Sequence, residues 1–182
     1  MKERLFSSLL VMFVAVVLAA ILQELIPPLT PLHLKVPALL GVCVYYSLCR
    51  GAGYGFASAV WCGLVQDGLG NHSFGISLLV FCAVAALCSI LLKRQLPNNT
   101  VSCMLVAMVG GFLTEALQYA ALIGSGQYLA LPFLFVLMRL TGFVVIAGLT
   151  AGVVSGFVRF LDYVSANAGI ENDGESFGWN PN

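Results

Sequence analysis

The stretch Gly51-Ala52-Gly53-Tyr54-Gly55-Phe56-Ala57-Ser58-Ala59-Val60-Trp61-Cys62-Gly63-Leu64-Val65-Gln66-Asp67 decides the fold. Within it Gly51, Gly55, Ala59, Gly63 and Asp67 recur at every fourth position. A helix brings positions so spaced onto one face. Four of these residues have almost no side chain, and the fifth is a carboxylate. In a bilayer, small residues let helix backbones approach and pack by van der Waals contact. An acid there is costly and needs a partner or a wet site. The face is therefore expected to meet protein, inside the bundle or on a partner helix, and to hold a charge.

The composition points the same way. Of 182 residues, 60% are hydrophobic and only 9% charged, against about 25% charged in soluble domains. The eight basic and eight acidic side chains are separated by long uncharged runs. An integral membrane protein follows, since a water-soluble core of this size cannot hide so much apolar surface. Net charge is zero and no basic patch occurs, which argues against nucleic acid as a partner. Cys43, Cys49, Cys62, Cys82, Cys88 and Cys103 all fall in or beside apolar segments without zinc-site spacing, and read as packing residues. The run 5–23 after Lys2-Glu3-Arg4 exceeds the roughly 7–15 residues of a signal-peptide core. Pro27, Pro28 and Pro31 stand where a cleavage site would be, so the run reads as a retained first span.

A hydrocarbon core about 30 Å thick needs about 20 helical residues. Six segments qualify: 5–25, 34–49, 51–69, 74–92, 101–124 and a last one within 129–163. The second is short, with Lys35 able to snorkel to the surface. The last is too long for one straight span. Pro132 suits the first turn of its helix, and the part up to about Met138 is expected to lie along the outer interface. The fold class expected is all-α: a polytopic bundle of six transmembrane helices over 1–165, followed by a disordered polar, acidic tail over 166–182. Lys2, Arg4, Arg50, Lys93, Arg94 and Arg159 fall on one side of such a bundle and Lys35 on the other. The positive-inside rule then puts both termini in the cytoplasm.

Four charges lie in or near the apolar segments: Glu24, Asp67, Glu115 and Arg139. Glu115 stands nine residues before the end of its segment, about 13 Å along a helix, and Arg139 seven residues after Pro132, about 10 Å. At similar depth on consecutive helices they are expected to pair, with Asp67 as an alternative or shared partner in one polar cluster. No catalytic residue is assigned. An intramembrane aspartyl protease needs two acids face to face, whereas Asp67 and Glu115 differ in depth and no Gly-x-Gly-Asp occurs. His33 and His72 sit in short outer loops without further ligands at metal spacing, and there is no phosphate-binding Gly-x-x-x-x-Gly-Lys-Ser/Thr. Neither metal nor cofactor is expected. Gly148, Gly152 and Gly156 form a second small-residue ladder, Ala15 and Ala19 a weaker one, and Gly110-Gly111 a close pair.

Over 36–79 the order of motifs carries a resemblance. Pro37-Ala38-Leu39-Leu40 leads to Tyr45-Tyr46-Ser47-Leu48-Cys49-Arg50-Gly51, then Gly63-Leu64-Val65-Gln66-Asp67, then Phe74-Gly75-Ile76-Ser77-Leu78-Leu79. This pattern resembles the rod shape-determining MreD family. The resemblance implies a non-enzymatic protein of the bacterial inner membrane, in the cell-elongation complex that supports peptidoglycan synthesis. It implies MreC as partner, MreB indirectly, and RodA with its penicillin-binding transpeptidase, all within membrane lipid. It also implies a fold similar to the substrate-binding subunits of energy-coupling-factor transporters. The alternative reading is such a vitamin-binding subunit, with Ala15-x-x-x-Ala19 as its contact face. The short outer loops offer little to grip a polar vitamin. The proline-rich first loop, the long last segment and the acidic tail depart from the family pattern.

Overall fold

The computed structural model describes residues 2–27, 34–69, 75–93, 99–124 and 133–167. It is all-helical, with six helices and no strand among the described residues: α1 (Lys2–Leu25), α2 (Ala38–Cys49), α3 (Ala52–Leu69), α4 (Ile76–Lys93), α5 (Thr100–Gly124) and α6 (Phe133–Asn167). Two of them, over Thr100–Ala120 and Leu134–Val164, are long and apolar enough to cross a membrane. Leu9–Leu25, Ala38–Cys49 and Ile76–Ile90 are apolar but shorter.

The shortest helix is the centre of the molecule. A helix that is apolar all round has no face to give to water and is buried, and α2 reads Ala-Leu-Leu-Gly-Val-Cys-Val-Tyr-Tyr-Ser-Leu-Cys. Every residue from Ala38 to Leu48 is buried, and α2 touches all five other helices. It begins later than the apolar run because Pro37 restricts the residue before it to extended backbone. It ends at Arg50, whose N–H donates to the carbonyl of Tyr46 at 3.1 Å. Gly51 then takes φ +88°, a left-handed conformation glycine adopts without strain. The chain reverses there into α3.

Small residues set the helix spacing. A Cβ on Gly55 would lie 2.8 Å from the Cα of Ser47 on α2, and one on Gly63 would lie 2.6 Å from the Cα of Leu78 on α4. On α6, Gly148 and Gly152 face Met108 and Met104 of α5, while Gly111 of α5 faces Ala147. Numbers rise on one helix as they fall on the other, so α5 and α6 are antiparallel. Gly41 brings α2 against Ala151 and Val154 of α6. Helix α1 packs one stripe inward, through Met12, Ala15, Val16, Ala19 and Gln23, and leaves Leu10, Phe13, Ile21 and Leu25 exposed.

The last segment differs from the sequence expectation. No break separates an interfacial part from a spanning part: α6 is continuous for 35 residues, about 50 Å, and its helix runs through Arg139 and on to Asn167. The helix takes in Ala166 and Asn167, the first two residues assigned to the expected tail; 168–182 lie outside the described residues, as do 28–33, 70–74 and 125–132 with His33 and His72.

Candidate functional site

Asp67 closes the ladder at the end of α3, where it is buried at 6% exposure. Its carboxylate accepts the N–H of Gly75 at 2.8 Å, of Ser77 at 3.1 Å and of Leu78 at 3.4 Å. These are donors at the start of α4 that have no partner within the helix. A carboxylate there also meets the positive end of the helix dipole. The every-fourth-residue face thus lies along neighbours within the chain: Gly51 turns it, Gly55 meets α2, Ala59 is fully buried, Gly63 meets α4, and Asp67 caps α4. Asp67 was expected in the polar cluster as an alternative or shared partner of Arg139; its carboxylate is turned to α4 instead.

Arg139 meets Glu115. Its Nε lies 3.8 Å from Glu115 Oε2, and its guanidinium carbon stands 5.9 Å from the centre of the Tyr119 ring, within cation–π range. Beside this pair opens a cavity of about 220 Å³. It lies where α1, α3 and α5 end and where α2, α4 and α6 begin. Its polar lining includes Gln23, Gln66, Thr114, Glu115, Gln118 and Arg139, and its apolar lining Leu40, Phe81 and Phe143. Gln23 is 2% exposed; its amide donates to Gln66 Oε1 at 2.8 Å, and its own oxygen accepts the N–H of Leu39 at 3.5 Å. Lys35, at the rim, pairs with Glu24 at 2.9 and 3.1 Å. None of the three glutamines carried a sequence signal, since a glutamine near a helix end is ordinarily solvated.

A second polar group occupies the opposite end. Tyr45 donates its hydroxyl to Asp162 Oδ2 at 2.8 Å, and Arg50 Nη2 lies 3.2 Å from Asp162 Oδ1. This links the exit of α2 to the last turns of α6. Sequence reasoning missed Asp162, although an acid inside a long apolar segment is the same signal that singled out Glu115. Tyr45 carried no signal beyond an apolar helix, but a buried tyrosine hydroxyl needs a partner. Among the described residues no group of three His, Cys, Asp or Glu side chains could hold a metal, and all six cysteines are free thiols.

Compared with known families, residues 4–161 match the rod shape-determining protein MreD. The chain belongs to the MreD family. No curated protein and no solved structure matches it. MreD membership assigns it to rod-shape determination, as a membrane protein of the cell-shape system that acts with other proteins. MreD proteins are structural in this role. The outward surface suits a membrane: Leu25, Leu79 and Val153 are each more than 70% exposed, and soluble monomers do not spread apolar side chains so widely.

Proposed function

We propose that this MreD-family protein is a non-enzymatic scaffold of the cell-elongation complex, crossing the bacterial inner membrane six times with both termini cytoplasmic. Its partners are MreC and, through the assembly, MreB filaments, RodA and its penicillin-binding transpeptidase. The observation that carries this reading is the family match over residues 4–161. The arrangement of charge supports the orientation. Arg50 and Arg159 lie toward one end of the bundle with the start of α1, while Lys35, Glu115 and Arg139 line the other. By the positive-inside rule the cavity end is the outer one.

Recognition inside the bilayer rests on shape and polar contact, because lipid tails are as apolar as leucine. The ladder of Gly51, Gly55, Ala59, Gly63 and Asp67 contributes by holding α2, α3 and α4 in one rigid unit. Partner helices dock on the outward faces of α1 and α6, where Phe13, Ile21, Leu149 and Val153 are exposed and Gly156 has no heavy atom within 4 Å of its missing Cβ. Affinity purification of the full-length tagged chain from membranes of its host, with depletion of the protein in parallel, tests this. MreC is expected in the purified sample, and depleted cells are expected to become round. Rod-shaped depleted cells, or a purified sample without MreC, would refute the scaffold.

A further inference from the structure

We infer that the cavity beside Glu115 and Arg139 receives a zwitterionic phosphoethanolamine headgroup, with the ammonium on Glu115 and the phosphate on Arg139. The inference rests on the membrane placement proposed above.

Glu115 is 3% exposed, and among the described residues no donor comes within hydrogen-bond distance of its carboxylate. Its contact with Arg139, at 3.8 Å, is an ion pair too long for a hydrogen bond. Arg139 Nε is buried and donates to nothing among the described residues. Buried charges are ordinarily both paired and hydrogen-bonded. Here a carboxylate and a guanidinium border the same 220 Å³ space with donors and acceptors to give. The tyrosine ring of Tyr119 steadies the guanidinium without using its N–H groups.

The charge of the lining selects the occupant. Lys35 at the rim is paired with Glu24 outside the lining, and Arg139 balances Glu115, so these four charges together sum to zero. An anionic headgroup would set its charge beside Glu115, and a lone cation beside Arg139. A neutral ligand without separated charges offers neither ion a charge-assisted hydrogen bond. A primary ammonium and a phosphate a few ångströms apart match both, and Gln118 and Gln66 offer amides to the remaining oxygens. The tails have a wall to follow: Leu117, Leu137 and Met138, within two residues of the pair in sequence, are exposed.

The test uses the purified full-length chain in detergent. Unfolding midpoints and retained lipid by native mass spectrometry are measured with dioleoylphosphatidylethanolamine, the phosphatidylcholine and phosphatidylglycerol of the same chains, and soluble glycerophosphoethanolamine. Phosphatidylcholine is zwitterionic but its quaternary ammonium has no N–H, so it loses the charge-assisted bond to Glu115 and binds about tenfold more weakly. Phosphatidylethanolamine is expected to be retained over both other lipids and to raise the midpoint by several degrees. Glu115→Gln, which keeps the volume, is expected to erase the preference over phosphatidylcholine. Equal retention of phosphatidylethanolamine and phosphatidylcholine by the native chain overturns the proposal without any variant. Equal protection by the soluble headgroup overturns the lipid as its source. A partner polypeptide found in the cavity, with phosphatidylethanolamine excluded, overturns it as well. Retention of MreC in the same sample is read separately, so failure of the lipid site and failure of the scaffold are told apart.

Discussion

The two ends of the bundle treat buried charge in opposite ways. At one end Asp162 is closed in by Tyr45 at 2.8 Å and Arg50 at 3.2 Å. At the other, Glu115 meets Arg139 at 3.8 Å beside a cavity, with no hydrogen bond to its carboxylate among the described residues. The first arrangement joins helices far apart in sequence. The second keeps bonding capacity unused and keeps space next to it. A low-dielectric interior makes unused capacity costly, so a carboxylate without a hydrogen bond beside open space reads as a binding site, where the hydroxyl-bonded Asp162 reads as a structural joint.

Substitutions can break or sharpen that contrast. The largest effect is expected from Asp162→Ala, which leaves Arg50 and the Tyr45 hydroxyl without their acid; about 3 kcal/mol of stability should be lost, read as lower abundance in the membrane and an earlier unfolding midpoint. An unfolding midpoint unchanged from the native chain would erase the distinction between the ends. Asp67→Ala comes next, at about 2 kcal/mol, because three backbone N–H groups lose their acceptor at the start of α4. Asp67→Asn retains an oxygen acceptor and should lose about half as much; identical losses would mean that charge, not hydrogen bonding, holds the cap. Tyr45→Phe removes one hydrogen bond and should cost about 1 kcal/mol in the same unfolding measurement. The smallest effect on stability belongs to Glu115→Gln, less than about 1 kcal/mol, since the pair it breaks is 3.8 Å long without a hydrogen bond and the Arg139 side chain left behind is 32% exposed. Its consequence should appear in ligand retention instead, and a stability loss as large as that of Asp162→Ala would reclassify the Glu115–Arg139 pair as a structural joint.

Much of this was legible in the chain before any coordinates. Six apolar segments became six helices, with ends displaced by a few residues. The displacements have local causes: Pro37 delays α2, and Gly51 takes the turn instead of the first helical position. The pairing of Glu115 with Arg139 followed from depth along consecutive helices. The destination of Asp67 did not, because a carboxylate at a helix end looks the same in sequence whether it caps the next helix or faces a distant arginine. The ladder's periodicity announced close packing but not the partner, since α2 and α4 take opposite ends of the same face.

By itself the sequence determined an apolar, helical chain, the places where charge interrupts it, and through the motif order over 36–79 its family. Those are properties of composition and of a period of a few residues, which a helix converts directly into faces. Tertiary structure alone decided that the shortest helix is the core, that Asp162 is held by a tyrosine 117 residues away, and that three unremarkable glutamines line a cavity beside an ion pair. Each depends on which distant surfaces meet, and that is settled by the shapes of all six helices together, where a missing Cβ at Gly41, Gly55 or Gly63 admits one neighbour and excludes another.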